Sequence, residues 1–257
     1  MPRQAIFNGI GVALVTLFRP DGELDAPATA DLATQLVELG ARAVVVAGTT
    51  GEAAALEHDE RSELVAAVRA ALPQSCGVPL VAGVGAPSAR QASRFTRAAI
   101  NLGADAVLAL SPPRTDDPLS YYQEVAVAAD GIPVIGYHYP AVSPPGISLE
   151  ALAELPVAAL KDSSADAGRL LATLDSWDRP VYVGSSALIT LGATLGCAGA
   201  ILALANAEPE VCQAAFAGDA GAQLKLAKFR PAEARFPHGL KELVAARFGC
   251  SPTARLG

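Results

Sequence analysis

Eight short, uninterrupted apolar runs recur along the chain, each followed by a longer stretch with helical spacing. The runs are Val12–Leu17, Ala43–Ala47, Val78–Val84, Ala106–Leu110, Pro133–Tyr137, Val157–Lys161, Pro180–Gly184 and Gly199–Ala203. None alternates polar with apolar residues, so each reads as a strand covered on both faces, as in a parallel sheet. Between them lie amphipathic segments such as "ATADLATQLVELGA", "HDERSELVAAVRAAL" and "SARQASRFTRAAINLGA". Asp25 and Ser88 are placed to cap helix starts, and Gly40 and Gly103 to stop helices. Eight strand–helix units predict a (β/α)8 TIM barrel over residues 1–205, with a short C-terminal helical extension over 206–257. A doubly wound open sheet is the competing fold, but it usually carries a Gly-rich phosphate turn after its first strand. Here "VTLFRPDGELD" stands in that place.

Composition narrows the function classes. Hydrophobic residues make up 51% of the chain and aromatics only 5%, so the core must be built from Ala, Val, Leu and Ile, and disorder is excluded. A net charge of −7 without a basic block speaks against nucleic acid or an anionic membrane as partner. No apolar run approaches a membrane span, and the first residues lack a signal-peptide pattern. Cys76, Cys197, Cys212 and Cys250 are scattered without a CxxC, as are His58, His138 and His238. No metal site is expected, and a reducing, cytoplasmic setting fits best.

A barrel of this kind builds its active site at the C-terminal ends of the strands. Those ends read "AGTTGEAAAL", "LSPPRTDDP", "GYHYP", "ALKDSS", "VGSSA" and "GAILA". Lys161, the first lysine in the chain, closes the sixth run. Burial disfavours an ammonium and lowers its pKa, and a neutral amine is what imine chemistry with a carbonyl compound needs. The alternative is a lysine whose stem lies on the strand while its head reaches water. Tyr137 ends the neighbouring run, where a phenol could trade protons with that amine, or simply bond to backbone. In "GTTGE", Gly48, Thr49 and Thr50 offer amides and hydroxyls that suit a carboxylate. The same residues could form only a tight turn, with Glu52 serving the next helix N-terminus.

"GTTGE", "YHYP" and "LKDSS", in this order and spacing, resemble the dihydrodipicolinate synthase and N-acetylneuraminate lyase superfamily, class I pyruvate-dependent aldolases on a (β/α)8 barrel. The likeness runs from Gly11 to about Ala203, with a weaker match near "LKELVAARFG". It implies that Lys161 forms a Schiff base with pyruvate or another 2-keto acid, and that Tyr137 is the acid/base. By the same likeness Thr49 and Thr50 hold the keto-acid carboxylate, with Thr50 also touching the tyrosine, and the Ile201 carbonyl lines the pocket. It implies carbon–carbon lyase activity on a small keto acid and an aldehyde, no separate cofactor, and a homodimer or homotetramer. The chain departs from dihydrodipicolinate synthases in two places near the pocket. Pro113 and Arg114 stand where those enzymes carry a tyrosine pair, and Val142 where they carry an entrance arginine. The segment after the eighth strand is also shorter than usual. "YHYP" is closer to aldolases of 2-keto-3-deoxy sugar acids, for which Arg114 and His138 are further candidate substrate contacts, Arg114 as an anion contact or as a surface partner of Asp116 or Asp117. Condensation of pyruvate with aspartate semialdehyde and a non-catalytic keto-acid binder are the alternatives. A phosphate-handling isomerase would want a glycine-rich grip that "VGSSA" and "GAILALANA" supply poorly.

Overall fold

The eight apolar runs close on themselves. In the computed structural model, which describes residues 4–257, they form a closed parallel barrel in which each strand pairs with the next and the eighth with the first. The strands are β1 (Gly9–Ala13), β2 (Ala43–Val46), β3 (Leu80–Gly83), β4 (Ala106–Leu110), β5 (Val134–His138), β6 (Ala159–Asp162), β7 (Val181–Val183) and β8 (Gly199–Leu202). Helices α1 (Ala26–Glu38), α2 (His58–Ala71), α3 (Ala89–Asn101), α4 (Leu119–Ala129), α5 (Leu149–Glu154), α6 (Ala167–Ser176), α7 (Ile189–Thr194) and α8 (Pro209–Phe216) follow them in turn. Three more helices, α9 (Ala220–Leu226), α10 (Arg230–Glu233) and α11 (His238–Phe248), complete the chain. The structure is thus the (β/α)8 TIM barrel with a C-terminal helical appendage. Helix α8 packs on β1 and α7, so the eighth helix of the ring already lies beyond residue 205. Among the described residues no helix is long and apolar enough to cross a membrane.

Strand alternation sorts the apolar residues into two cores. One side fills the barrel with small residues such as Ala13, Ala43, Val45 and Val81; the other packs Val12, Val44, Leu80 and Val107 against the helices. At the lower end Phe7 stacks on Tyr182 with ring centroids 4.4 Å apart. The Tyr182 hydroxyl donates to the Phe7 carbonyl at 3.0 Å and accepts its amide at 3.1 Å. The start caps are where the sequence puts them: the Asp25 carboxylate accepts the Ala28 amide at 3.1 Å and Ser88 Oγ the Gln91 amide at 3.3 Å. The lack of a side chain at Gly199 lets β8 close on β1, because a Cβ there would sit 2.1 Å from the Gly9 carbonyl oxygen.

The first strand is the one element out of place. The run Val12–Leu17 predicts it, yet the ladder spans Gly9–Ala13. It starts early because Gly9 and Ile10 pair with Gly199 and Ala200 of β8, and it ends early at Asn206, fully buried after β8. Its Oδ1 accepts the Val15 amide at 3.0 Å, while Nδ2 donates to the carbonyls of Ala13 (2.6 Å) and Ala203 (2.8 Å). The side chain thus takes the backbone groups that a longer ladder would have used. Asn206→Ala should therefore cost about 3 kcal/mol, because three backbone groups, two of them buried, lose their partner at once. Urea unfolding measures that loss, and a cost below about 0.5 kcal/mol would show that water replaces the amide.

Candidate active site

The site grows from the pairing of β5 with β6. Their register sets Tyr137 opposite Lys161 and His138 opposite Asp162. Because side chains alternate, the first pair points into the barrel and the second toward the helices. Lys161 is 4% exposed, and its Nζ stands 4.3 Å above the centre of the Tyr137 ring. Burial pulls the amine down from 10.5 to about 7. Burial also pushes the Tyr137 phenol up, and hydrogen bonding with Ser163 and Thr49 brings it part of the way back. Tyr139 stacks on Tyr137 with centroids 5.9 Å apart.

His138 does not join this centre. Its Nδ1 accepts the Ile147 amide at 2.9 Å, outside the barrel, near Asp162 and Arg169. Arg169 Nε lies 3.3 Å from Asp162 Oδ2. Burial, followed by the Arg169 charge, lowers His138 to about 4, leaving it neutral near pH 7. It fastens β5 to the following loop. Arg114 likewise stands apart from the Lys161–Tyr137 pair: it is exposed in a left-handed turn (φ 63°), its amide bonded to the Pro144 carbonyl at 2.8 Å. It forms no ion pair with Asp116 or Asp117.

The "GTTGE" segment folds as a turn closed by Glu52 N–H to Thr49 O (3.0 Å) and Ala53 N–H to Gly48 O (3.2 Å). Thr16 Oγ1 anchors it by donating to the Gly51 carbonyl at 2.7 Å. The turn leans on β3, where a Cβ at Gly83 would stand 2.1 Å from the Ala47 oxygen. Of the two threonines, Thr49 is the one that, with Ser163, lowers the Tyr137 phenol. Thr50 is 8% exposed beside it. Ile201 is fully buried in the same interior cluster as Tyr137 and Tyr182.

Glu52 has a different task from helix capping. It is fully buried in a left-handed conformation (φ 53°), with one carboxylate oxygen 2.5 Å from Lys241 Nζ on α11. The other oxygen accepts the amides of Arg255 (2.8 Å) and Leu256 (2.7 Å). Arg255 pairs with Glu60 on α2 through two bonds of 2.6 and 2.5 Å. The carboxylate in the turn therefore ties the C-terminal segment to the barrel mouth.

Above Tyr137 opens a cavity of about 680 Å3. Gly48, Thr49 and Tyr137 stand in its wall, with Phe236 and Leu256 contributed by the C-terminal segment. Lys161 is not in that wall; its amine lies against the ring of Tyr137, which is. Among the described residues Arg61 is the one charged residue lining the cavity, and it is committed to the carbonyls of Gly83 and Ala53 and to the face of Phe95. Among the described residues no three His, Cys, Asp or Glu side chains cluster so as to hold a metal ion.

Sequence reasoning missed Ser163, Leu256, Phe236 and Arg61. Ser163 was within reach, since it lies two residues after Lys161 in a strand end. Leu256 and Phe236 carried no signal, because only the packing of distant helices brings them to the mouth.

Fold and site together define a barrel enzyme whose polar centre, a buried amine beside a phenol, sits at the C-terminal rim of the strands. Residues 6–236 match the dihydrodipicolinate synthetase family. The chain belongs to that family and is a carbon–carbon lyase. It is 38% identical to an uncharacterized DapA-like lyase of Halobacterium salinarum over 214 residues, 79% of this chain and 69% of that one. It is 34% identical to the 4-hydroxy-tetrahydrodipicolinate synthase of Laribacter hongkongensis over 236 residues, 86% of this chain and 80% of the relative. Among solved structures, the chloride-inhibited dihydrodipicolinate synthase of Acinetobacter baumannii complexed with pyruvate superposes with a TM-score of 0.82 at 29% identity, covering 98% of this chain and 94% of that one. YagE of E. coli K12, also in complex with pyruvate, shares the fold at a TM-score of 0.88 and 23% identity, covering 97% and 92%.

Proposed function

We propose that the protein is a class I aldolase that binds pyruvate or a related 2-keto acid as a Schiff base on Lys161 and forms or cleaves a 2-keto-3-deoxy sugar acid. The observation that carries this reading is the Lys161 amine, buried against Tyr137 and titrating near neutrality. An ordinary lysine at pH 7 is neutral in only about 0.03% of molecules, whereas a pKa near 7 leaves about half of them nucleophilic. No separate cofactor is needed, because the iminium itself draws electrons from the carbon next to it.

In synthesis the amine attacks the keto carbon and water leaves, giving the iminium. Tyr137, which gave its proton to the departing water, takes a methyl proton as phenolate to yield the enamine, whose carbon bonds to the aldehyde carbon. Tyr137 gives its proton to the new alkoxide, and water releases the product and frees the amine. Cleavage runs through the same steps backward. Ser163 and Thr49 orient the phenol, and the Thr49–Thr50 turn supplies donors for the keto-acid carboxylate. The names of the 34% relatives support condensation with aspartate semialdehyde as a second reading. Val142 in the arginine position and an exposed Arg114 count against it. Apolar side chains exposed near the mouth, Val142 and Phe236, support a homodimer or homotetramer. Four free cysteines support a cytoplasmic setting.

Borohydride reduction in the presence of pyruvate should add one reduced three-carbon adduct to the chain, located at Lys161 by peptide mass spectrometry. A chain that stays unmodified, or one modified at Lys225, Lys228 or Lys241 instead, refutes the reading. Exchange of the pyruvate methyl protons for deuterium separates a working enzyme from a passive keto-acid binder.

A further inference from the structure

The cavity above Tyr137 has room for more than a keto acid and a short aldehyde. Its volume of about 680 Å3 falls in the range, roughly 300–1,000 Å3, of sites that enclose drug-sized ligands. Most of its wall is apolar, with Leu56, Pro87, Phe95, Leu110 and Leu256 among the side chains that line it. Its polar side chains are few, and most are already engaged. Thr49 and Tyr137 serve the keto acid and its proton. Arg61 is committed to backbone carbonyls and to the Phe95 ring, whose centre lies 4.4 Å from its guanidinium carbon. Ser143 Oγ donates to the Ser111 carbonyl at 2.6 Å, and Ser111 Oγ is buried beneath the surface. Among the described residues of the wall that leaves Gln91, exposed on α3.

Leu256 is fixed in that wall by bonds its side chain takes no part in. Its amide donates at 2.7 Å to the carboxylate of Glu52, in the turn that also carries Thr49. The side chain of the neighbouring Arg255 donates to the carbonyls of Gly22 (2.7 Å) and Ala55 (3.0 Å), besides pairing with Glu60. The leucine side chain is therefore a pre-set apolar surface, and a ligand that packs on it need not order it first. A polyol or a carboxylate placed there would give up water and find no new partner. A hydrocarbon arm would gain, because its apolar surface leaves water.

We propose that this wall is an apolar subsite through which the chain also takes aldehydes bearing an aryl or alkyl arm, a second class beside the sugar-derived ones, and that Leu256 determines this specificity. The chemistry is unchanged. The enamine carbon bonds to the aldehyde carbon, the alkoxide takes the Tyr137 proton, and water releases a 4-hydroxy-2-keto acid whose arm lay in the subsite. A short hydroxylated aldehyde reacts at the same amine and phenol, so both classes share one centre. The inference rests on the Schiff base at Lys161 and not on the identity of the sugar acid.

The test compares aldol addition of pyruvate to propanal and to 3-phenylpropanal, which differ only in a terminal phenyl ring, with borohydride trapping of pyruvate as a separate readout. The wild-type chain should favour 3-phenylpropanal at least about tenfold in kcat/KM, mainly through KM, as burial of a ring requires. Leu256→Gln keeps the reach of the side chain and the amide bonded to Glu52 but sets a polar group in the wall. It should cut the preference to about twofold, whereas Leu256→Met should keep it. Trapping at Lys161 should persist in all three proteins, which separates an altered wall from a lost fold. A wild-type chain that traps pyruvate yet shows no preference for the phenyl arm overturns the proposal, and so does a preference that Leu256→Gln leaves intact. A wild-type chain that traps no pyruvate would instead fail the aldolase reading on which the proposal stands. Turnover of D-glyceraldehyde, measured alongside, bears only on the sugar-acid reading.

Discussion

Lys161→Met should remove turnover, by at least about ten-thousand-fold, and at the same time make the protein harder to unfold at pH 7. Folding lowers the amine from 10.5 to about 7. Between those two values the unfolded chain holds a proton that the folded chain does not, so wild-type stability climbs as pH rises from 7 to 10.5. Below pH 7 both states are protonated and the full penalty applies. The shift corresponds to roughly 5 kcal/mol, which methionine, of similar length and without charge, would return in large part. Urea unfolding at pH 7 and pH 9.5 reads both effects: the variant should gain several kcal/mol at pH 7 and lose the pH dependence. A variant no more stable than wild type at pH 7 would mean that the ammonium is well solvated, and the chemistry assigned to it would have no basis. An active site that destabilises its own fold is a common exchange of stability for function.

Lys241→Met should act in the opposite sense, costing about 3–5 kcal/mol, because it strands the Glu52 carboxylate in a site that water does not reach. The pair is 0% and 1% exposed at its side chains, and its two nitrogen and oxygen atoms lie 2.5 Å apart. Lys241 also donates to the Thr253 carbonyl at 2.7 Å and covers the Phe18 ring, whose other cationic neighbour is Arg255. Adding Glu52→Gln to Lys241→Met should recover a large share of the loss, since a neutral amide still accepts the Arg255 and Leu256 amides. A double-mutant cycle by urea unfolding measures this. Additive losses would show that the two side chains do not interact. Because Glu52 is part of the Thr49–Thr50 turn, the single variant should also raise KM for pyruvate.

The fold was legible because it depends on a repeating local pattern. Ala106–Leu110 is a strand with the predicted bounds, and seven of the eight strands begin within two residues of theirs. The exception, β1, is cut short by a side chain 191 residues away from Val15, which no local pattern encodes. Lys161 and Tyr137 were legible for a similar reason: strand ends of a parallel barrel converge on one rim, so position in the repeat implies position in space. His138 was misread because one residue of alternation decides whether a side chain faces the barrel or the helices.

What the sequence determined by itself was the number of strands, their parallel pairing and the amine and phenol at the rim, all consequences of periods of two and of about 3.6 residues. What only tertiary structure decided was the environment of those groups: how deeply Lys161 is desolvated, and that Glu52 clamps the C-terminal segment. Desolvation and charge proximity are sums over neighbours far apart in the chain, and a one-dimensional pattern carries no record of them.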